Sequence, residues 1–155
     1  MATAKELASL GARIVLVARN EEKLIEAAST LAYQEKKHTY LIADFNHPQQ
    51  VAEAIHKFFE TDTAHILVNN TGGPNPGKAI ESDIEQFRQA FNAHLICNQI
   101  LAQACAPHFI QNGYGRIVNV ISTSVKQPLP NLGVSNTIRG AVASWSKTLA
   151  SELGV

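Results

Sequence analysis

Three side chains near the carboxyl end of the sequence could act on a ligand together: Ser122, Ser135 and Arg139. Ser122 follows an apolar, β-branched run over residues 117–121, which has the length and composition of a buried parallel strand. A loop with two prolines leads to a helical pattern that starts near Ser135, and Arg139 lies four residues further on the same helix face. A hydroxyl can donate a hydrogen bond, and a guanidinium keeps its positive charge. This layout predicts a ligand site at the carboxyl edge of an α/β sheet.

The same residues resemble the short-chain dehydrogenases/reductases. The features that carry the resemblance are the run GRIVNVIS, the thirteen-residue step from Ser122 to Ser135 and the four-residue step to Arg139. The branch most similar is that of the 3-oxoacyl-acyl-carrier-protein reductases. In this family, a Ser at the strand tip and a Tyr-x-x-x-Lys on the helix form the reducing site. Ser122 matches the Ser, whereas Ser135 stands in the place of the Tyr and Arg139 in the place of the Lys.

These two departures weaken the expected chemistry. Carbonyl reduction needs a hydride donor, a polarising hydrogen bond and a proton donor. Ser122 could polarise the carbonyl, but the Ser135 hydroxyl is far less acidic than a phenol and lies on a shorter side chain. We therefore expect Ser135, together with Asn136, to cap the last helix. Arg139 could hold ribose hydroxyls but cannot release a proton.

His94 lies in a long helix predicted over residues 83–111. The resemblance places it where a catalytic Asn is expected, whose backbone carbonyl holds a water in a proton relay. His94 could keep that carbonyl role and add a titratable ring. The alternative is a helical histidine that is only packed or solvated. The five other histidines have no ligand spacing, so no metal site is predicted.

Five further residues at predicted strand ends are candidates for binding a dinucleotide. The resemblance implies that Arg19 holds the 2′-phosphate of NADP, that Asp44 hydrogen-bonds the adenine amine, and that Gly72 lets the backbone approach adenosine. Asn69 and Asn70 precede Gly72 in a tip that resembles the family NNAG motif. NAD stays possible, because the preference for NADP depends on Arg19 alone. The alternatives are a surface arginine, a carboxylate at a strand-to-helix turn, and asparagines that bridge strands.

Helical and apolar strand patterns alternate along the chain. The helices are predicted over residues 2–10, 20–33, from 48 onward, 83–111 and from 135, and Ser82 with Glu85 predicts a capping box. The strands are predicted over residues 14–17, 39–43, 65–68 and 117–121. This alternation predicts an α/β fold with a parallel sheet and helices on both faces. The resemblance identifies it as a Rossmann-like three-layer αβα sandwich in a single partial domain, residues 1–155.

The resemblance also implies that two parts of the family fold lie outside these residues. Family members open with a strand and a TGxxxGxG turn, and that strand would lie between the strands predicted over residues 14–17 and 65–68. Their last strands would follow Val155. We therefore expect a sheet that lacks an interior strand and so has unpaired edges. Such a chain is a fragment, a truncated product or a chain that borrows pairing from a partner.

Composition excludes several classes of function. Lys plus Arg equals Asp plus Glu at 13 each, which gives no electrostatic basis for binding nucleic acid or an anionic membrane. The apolar runs are too short to span a bilayer, and the N-terminal residues lack the pattern of a secretory signal. Cys97 and Cys105 are eight residues apart on one predicted helix, or about 12 Å, too far for a disulfide. Free thiols favour a reducing cytoplasm.

The sequence thus predicts an NADP-dependent oxidoreductase with a divergent active site, acting on a small carbonyl or acyl-thioester substrate. One alternative is a nucleotide-binding or regulatory module that keeps the fold without the chemistry, as the serine at the Tyr position suggests. Another is an inactive fragment of a reductase. The family also forms oligomers through its last two long helices, so we expect a homo-oligomer.

Overall fold

The computed structural model describes residues 1–154, in which helices and strands alternate. Its helices are α1 (Ala2–Ser9), α2 (Glu21–Ser29), α3 (Pro48–Phe59), α4 (Ile84–Phe91), α5 (Cys97–Gln111) and α6 (Gly133–Leu153). Its strands are β1 (Val15–Ala18), β2 (Thr39–Ile42), β3 (Ile66–Asn69) and β4 (Arg116–Asn119). The predicted order of elements is confirmed.

The strands form two parallel pairs, β1 with β2 and β3 with β4, and within residues 1–154 no ladder bonds join one pair to the other. The carbonyls of Ile14 and Ala18 accept hydrogen bonds from the β2 side. Because alternate residues of a parallel strand direct their backbone groups to opposite sides, those of Val15 and Val17 point away from β2. The sheet is therefore parallel and, within residues 1–154, interrupted between its two strand pairs.

Helices cover both faces of this sheet, so the predicted three-layer α/β architecture is confirmed. On one face, α3 and α5 pack together over side chains of β1, β2 and β3, around a buried core that includes Ile55, Phe58 and Leu101. On the other face, Leu16 of β1 and the preceding Ile14 pack against α1 and Leu31. Side chains of successive strand residues point to opposite faces, so β1 contributes to the core on each side of the sheet.

Some predicted boundaries are wrong. The second helix ends at Ser29, with Thr30 as its C-cap, rather than at residue 33, where Tyr33 lies in the left-handed region with φ 58° and cannot belong to a right-handed helix. Ser82 does not form a capping box: its hydroxyl donates to the Lys78 carbonyl at 2.8 Å, and Asp83 caps α4 instead. The predicted Asn20 cap of α2 is confirmed, since its side chain accepts from the Lys23 N–H at 2.8 Å.

Helix α6 begins at Gly133, so the prediction that Ser135 and Asn136 cap it is wrong. The Gly133 N–H donates to the Gly77 carbonyl at 2.9 Å, so backbone from another loop caps the helix. A Cβ on Gly133 would lie 2.2 Å from the backbone nitrogen of Ala79, so only glycine allows this approach.

Cys97 and Cys105 are buried free cysteines, as predicted. Burial raises the pKa of Cys97 to about 11 and that of Cys105 to about 12, which keeps both thiols protonated and unreactive near neutral pH. Among residues 1–154, no helix has both the length and the apolar character required to cross a bilayer.

Candidate functional site

A cleft of about 660 Å³ lies at the carboxyl ends of β1, β2 and β3. Its walls are formed by residues 17–19, 43–46 and 70–75, together with Gln86, Gln89, Ala90, Ala93 and His94. Ligands of open α/β sheets bind at this edge, and the volume falls in the range of small-molecule sites. Of the predicted site residues, the cleft brings together Arg19, Asp44, Asn70, Gly72 and His94.

Arg19 and Asp44 form a long ion pair at one end of the cleft, with 3.8 Å between the guanidinium and the carboxylate. The Arg19 side chain is 72% exposed, so this pair contributes little to stability. The Asp44 carboxylate also accepts from the Asn46 N–H at 2.9 Å, which fixes the turn after β2. The Arg19 charge is therefore loosely held and open to an anionic ligand.

Asn69 and Asn70, adjacent in sequence, have different surroundings. Asn69 is buried and its side-chain amide donates to Oδ1 of Asn119 at 2.8 Å, and Asn119 in turn donates to Ser146 of α6 at 2.9 Å. Asn69 thus bridges β3 and β4 and lies outside the cleft lining. Asn70 is exposed and lines the cleft with Gly72, where a Cβ would meet open space.

His94 lies in a π-helical turn, Asn92–Ile96, which joins α4 to α5. Such turns often occur at functional sites, and the apolar pattern of the sequence gave no sign of this one. The ring is 1% exposed. Burial, and secondly the Arg139 cation, lower the pKa of His94 to about 4, although the Gly72 backbone raises it. The ring is therefore neutral near pH 7, and the expected titratable ring does not change charge there.

Thr71 was missing from the predicted site. Its hydroxyl lies 2.5 Å from Nδ1 of His94, and its carbonyl faces the Arg139 guanidinium at 3.5 Å. The signal that could have identified it is its hydroxyl. Thr71 stands between Asn70 and Gly72, where the family motif has alanine.

Ser122 follows the end of β4 by three residues, and the Arg139 guanidinium reaches the same strand end from α6. Arg139 is 9% exposed, and its Nη1 donates to the Val120 carbonyl at 2.9 Å. The Ser122 hydroxyl oxygen accepts from the Ser124 N–H at 3.1 Å, which leaves its proton available to donate. Helix α6 packs against the turn Thr123–Val125 and thereby holds the two residues on the same side of the molecule.

Ser122, Ser135 and Arg139 are not among the described residues that line the cleft. Ser135 is partly buried within the first turn of α6, four residues before Arg139. The structure therefore separates the predicted set into a group around the cleft and a group at the β4 tip. Arg139, through the Thr71 carbonyl, connects the two groups.

Comparison with known proteins identifies the family. The sequence profile described as short chain dehydrogenase matches residues 1–155. L-sorbose reductase from Gluconobacter frateurii, solved with NADPH and L-sorbose, is 31% identical with a TM-score of 0.88. A gluconate 5-dehydrogenase from Burkholderia cenocepacia, solved with NADP and tartrate, is 27% identical with a TM-score of 0.86. Each comparison covers 97% of this chain, with 58% of the first structure and 60% of the second.

Curated relatives include both an inactive protein and an enzyme. The human inactive hydroxysteroid dehydrogenase-like protein 1 is 29% identical over 154 residues, which are 97% of this chain and 47% of the relative. The 2-dehydro-3-deoxy-D-gluconate 5-dehydrogenase of Bacillus subtilis is 28% identical over 149 residues, 96% of this chain and 58% of the enzyme. The chain thus spans about half the length of these relatives. With its parallel α/β architecture and its cleft at the strand ends, this chain belongs to the short-chain dehydrogenase family.

Proposed function

We propose that this chain supplies the NADP-binding part of an oxidoreductase that acts on a small carbonyl or alcohol. The observation that carries the proposal is the cleft itself, in which the exposed Arg19 cation, Asp44 and the glycine-containing tip around Gly72 lie together. These are the groups expected to contact a 2′-phosphate, an adenine amine and a ribose. The solved relatives that contain NADPH or NADP support the same ligand class.

The residues present fit such a cofactor. The loosely paired Arg19 guanidinium can exchange Asp44 for a phosphate, and Gly72 leaves room for close backbone contact. When bound, the reduced nicotinamide supplies a hydride. In this proposal Ser122 donates a hydrogen bond to the substrate carbonyl, and Arg139 fixes the segment that carries Ser122. Ser135 is a weak proton donor, and His94 is neutral, so neither side chain is a strong acid for the reduction.

A second candidate function is that of a nucleotide-binding module without catalysis. Its support is that the Arg139 guanidinium is already engaged by backbone carbonyls and buried, so it provides no free cation to activate Ser135. The human relative whose name describes it as inactive points the same way. The inactive-fragment alternative differs from both because it predicts no nucleotide binding.

Two measurements on the 155-residue chain separate these candidates. Titration with NADPH, followed by its fluorescence, gives saturable binding for both the oxidoreductase and the binding module and none for a fragment. Oxidation of bound NADPH by an acetoacetyl thioester or a small ketone then supports the oxidoreductase. Binding without turnover would support the nucleotide-binding module without catalysis. The variant Arg19→Gln is the matched control, since it should weaken NADPH binding in either case.

We also propose a cytoplasmic location and a homo-oligomer formed through α5 and α6. The two protonated, buried thiols agree with a reducing compartment. The Trp145 indole N–H donates to Gln99 at 2.7 Å, which joins α6 to α5 within one chain. Light scattering after size-exclusion chromatography measures the oligomeric state, and a monomer at all concentrations would contradict the oligomer.

A further inference from the structure

Thr71 is bonded at both of its polar ends. Its hydroxyl contacts Nδ1 of His94 at 2.5 Å, and its carbonyl oxygen lies 3.5 Å from Nη2 of Arg139. Thr71 comes two residues after the end of β3 and directly before Gly72, so these contacts act on the segment that lines the cleft. One residue thus connects a helix, a strand end and the cleft wall.

The partners of Thr71 are held firmly by other elements. His94 is buried in the π-helical turn between α4 and α5, and Arg139 is buried on α6 with its stronger bond to Val120. The Thr71 hydroxyl can donate to Nδ1 of His94 or accept from it, so this hydrogen bond orients the ring in either tautomer. The ring and the Thr71 segment therefore fix each other.

We infer that Thr71 is a positioning residue of the cleft: its hydroxyl fixes the His94 ring, and the fixed pair holds the backbone at Gly72 in the shape that receives the nucleotide. The inference rests on the proposed function, because it assigns Thr71 a role in binding the same ligand. Thr71 acts through His94 and Gly72 and needs no contact with the nucleotide.

Two substitutions separate the hydroxyl from the shape of the side chain. Thr71→Val keeps the branched shape and the backbone carbonyl but removes the hydroxyl, whereas Thr71→Ser keeps the hydroxyl. Nitrogen-15 NMR of the His94 ring reports the hydrogen bonding of Nδ1 without any ligand. We expect the Nδ1 resonance of the unmodified chain to be kept in Thr71→Ser and to shift in Thr71→Val, which lacks the hydroxyl.

The second readout is NADPH affinity, followed by fluorescence. We expect Thr71→Val to weaken NADPH affinity by up to roughly tenfold, the equivalent of one buried hydrogen bond, and Thr71→Ser to leave it unchanged. Altered ring nitrogens with unchanged affinity would overturn the positioning role, and so would weaker affinity with unaltered ring nitrogens. If the unmodified chain binds no NADPH, the proposed function fails and the positioning role, which depends on it, fails with it. The ring nitrogens, measured without ligand, then show whether the Thr71–His94 contact itself exists.

Discussion

Arg139 donates from Nη1 to the carbonyl oxygen of Val120 at 2.9 Å, which places a buried cation beside the ring of His94. A nearby positive charge disfavours a second one, so the two side chains are coupled electrostatically. We expect Arg139→Met to raise the pKa of His94 from about 4 towards its ordinary value without reaching it, because burial, the larger cause, remains. A proton NMR titration of the His94 ring measures this change.

The charge-conserving variant Arg139→Lys is the control for that prediction. Its ammonium keeps the positive charge but cannot reproduce the planar fork of donors. The pKa of His94 should therefore stay at about 4 in Arg139→Lys. An unchanged pKa in Arg139→Met would show that the proposed coupling does not exist.

His94 should make stability depend on pH in a defined window. The folded ring has a pKa of about 4, below the ordinary 6.5, so the unfolded chain takes up a proton first as pH falls. Its contribution to stability is fully present above pH 6.5 and is lost progressively as pH falls towards 4. We expect the free energy of unfolding to decrease less between pH 7 and pH 5 in His94→Gln than in the unmodified chain, as measured by urea titration.

His56 offers a matched control for this experiment, because it is an exposed histidine on α3. His56→Gln should keep the pH dependence of the unmodified chain. The account of His94 is contradicted when His94→Gln loses as much stability from pH 7 to pH 5 as the unmodified chain does.

Arg19 should determine the choice between NADP and NAD. Its guanidinium is exposed and held only by the 3.8 Å pair with Asp44. A charge-assisted bond to a phosphate contributes about 1.5–3 kcal/mol, so Arg19→Gln should weaken NADPH binding about tenfold or more and leave NADH binding nearly unchanged. Fluorescence titration with both dinucleotides measures the ratio.

Arg88 is the comparison for Arg19. It is also an exposed arginine in a 3.8 Å ion pair, with Glu85 on α4, but it does not line the cleft. Arg88→Gln should alter neither affinity. Equal losses of NADPH binding in the two variants would mean that the loss of any exposed positive charge weakens binding, and that the position of Arg19 has no special role.

We expect Asn69 to contribute to the stability of the fold and Asn70 to contribute little to it. Asn69→Ala removes the buried bond to Asn119 and should lower the free energy of unfolding by about 1–3 kcal/mol. Asn70→Ala changes an exposed side chain at the cleft and should leave stability within about 0.5 kcal/mol. Urea unfolding of both variants measures the difference, and the reverse order of stability would contradict the assignment.

Local patterns predicted most of the fold because they depend on short-range physics. The apolar runs around β1 to β4 and the Asn20 cap are local in sequence and were found there. The start of α6 was missed because it depends on the Gly77 carbonyl, which reaches Gly133 from another loop. Only tertiary contact, and not helix propensity, decides that boundary.

The site was predicted in part for the same reason. Strand ends in a parallel sheet share one edge, so Arg19, Asp44 and Gly72 could be placed together from the strand pattern. The burial of Arg139 against backbone carbonyls could not be predicted, because it depends on how deeply α6 packs. The low pKa of His94 follows first from the burial of its own ring and secondly from the Arg139 cation, and it was equally hidden from the sequence.

We expect a dinucleotide to occupy the cleft at the carboxyl edge of the interrupted sheet. Backbone amide NMR of the 155-residue chain during titration with NADP measures whether it does. We predict saturable shifts that are largest at the amides of Arg19, Asp44 and residues 70–73, with little change in the distant groove between α3 and α5 that contains His56 and Phe59. Saturable shifts in that groove, or none anywhere, would contradict the account.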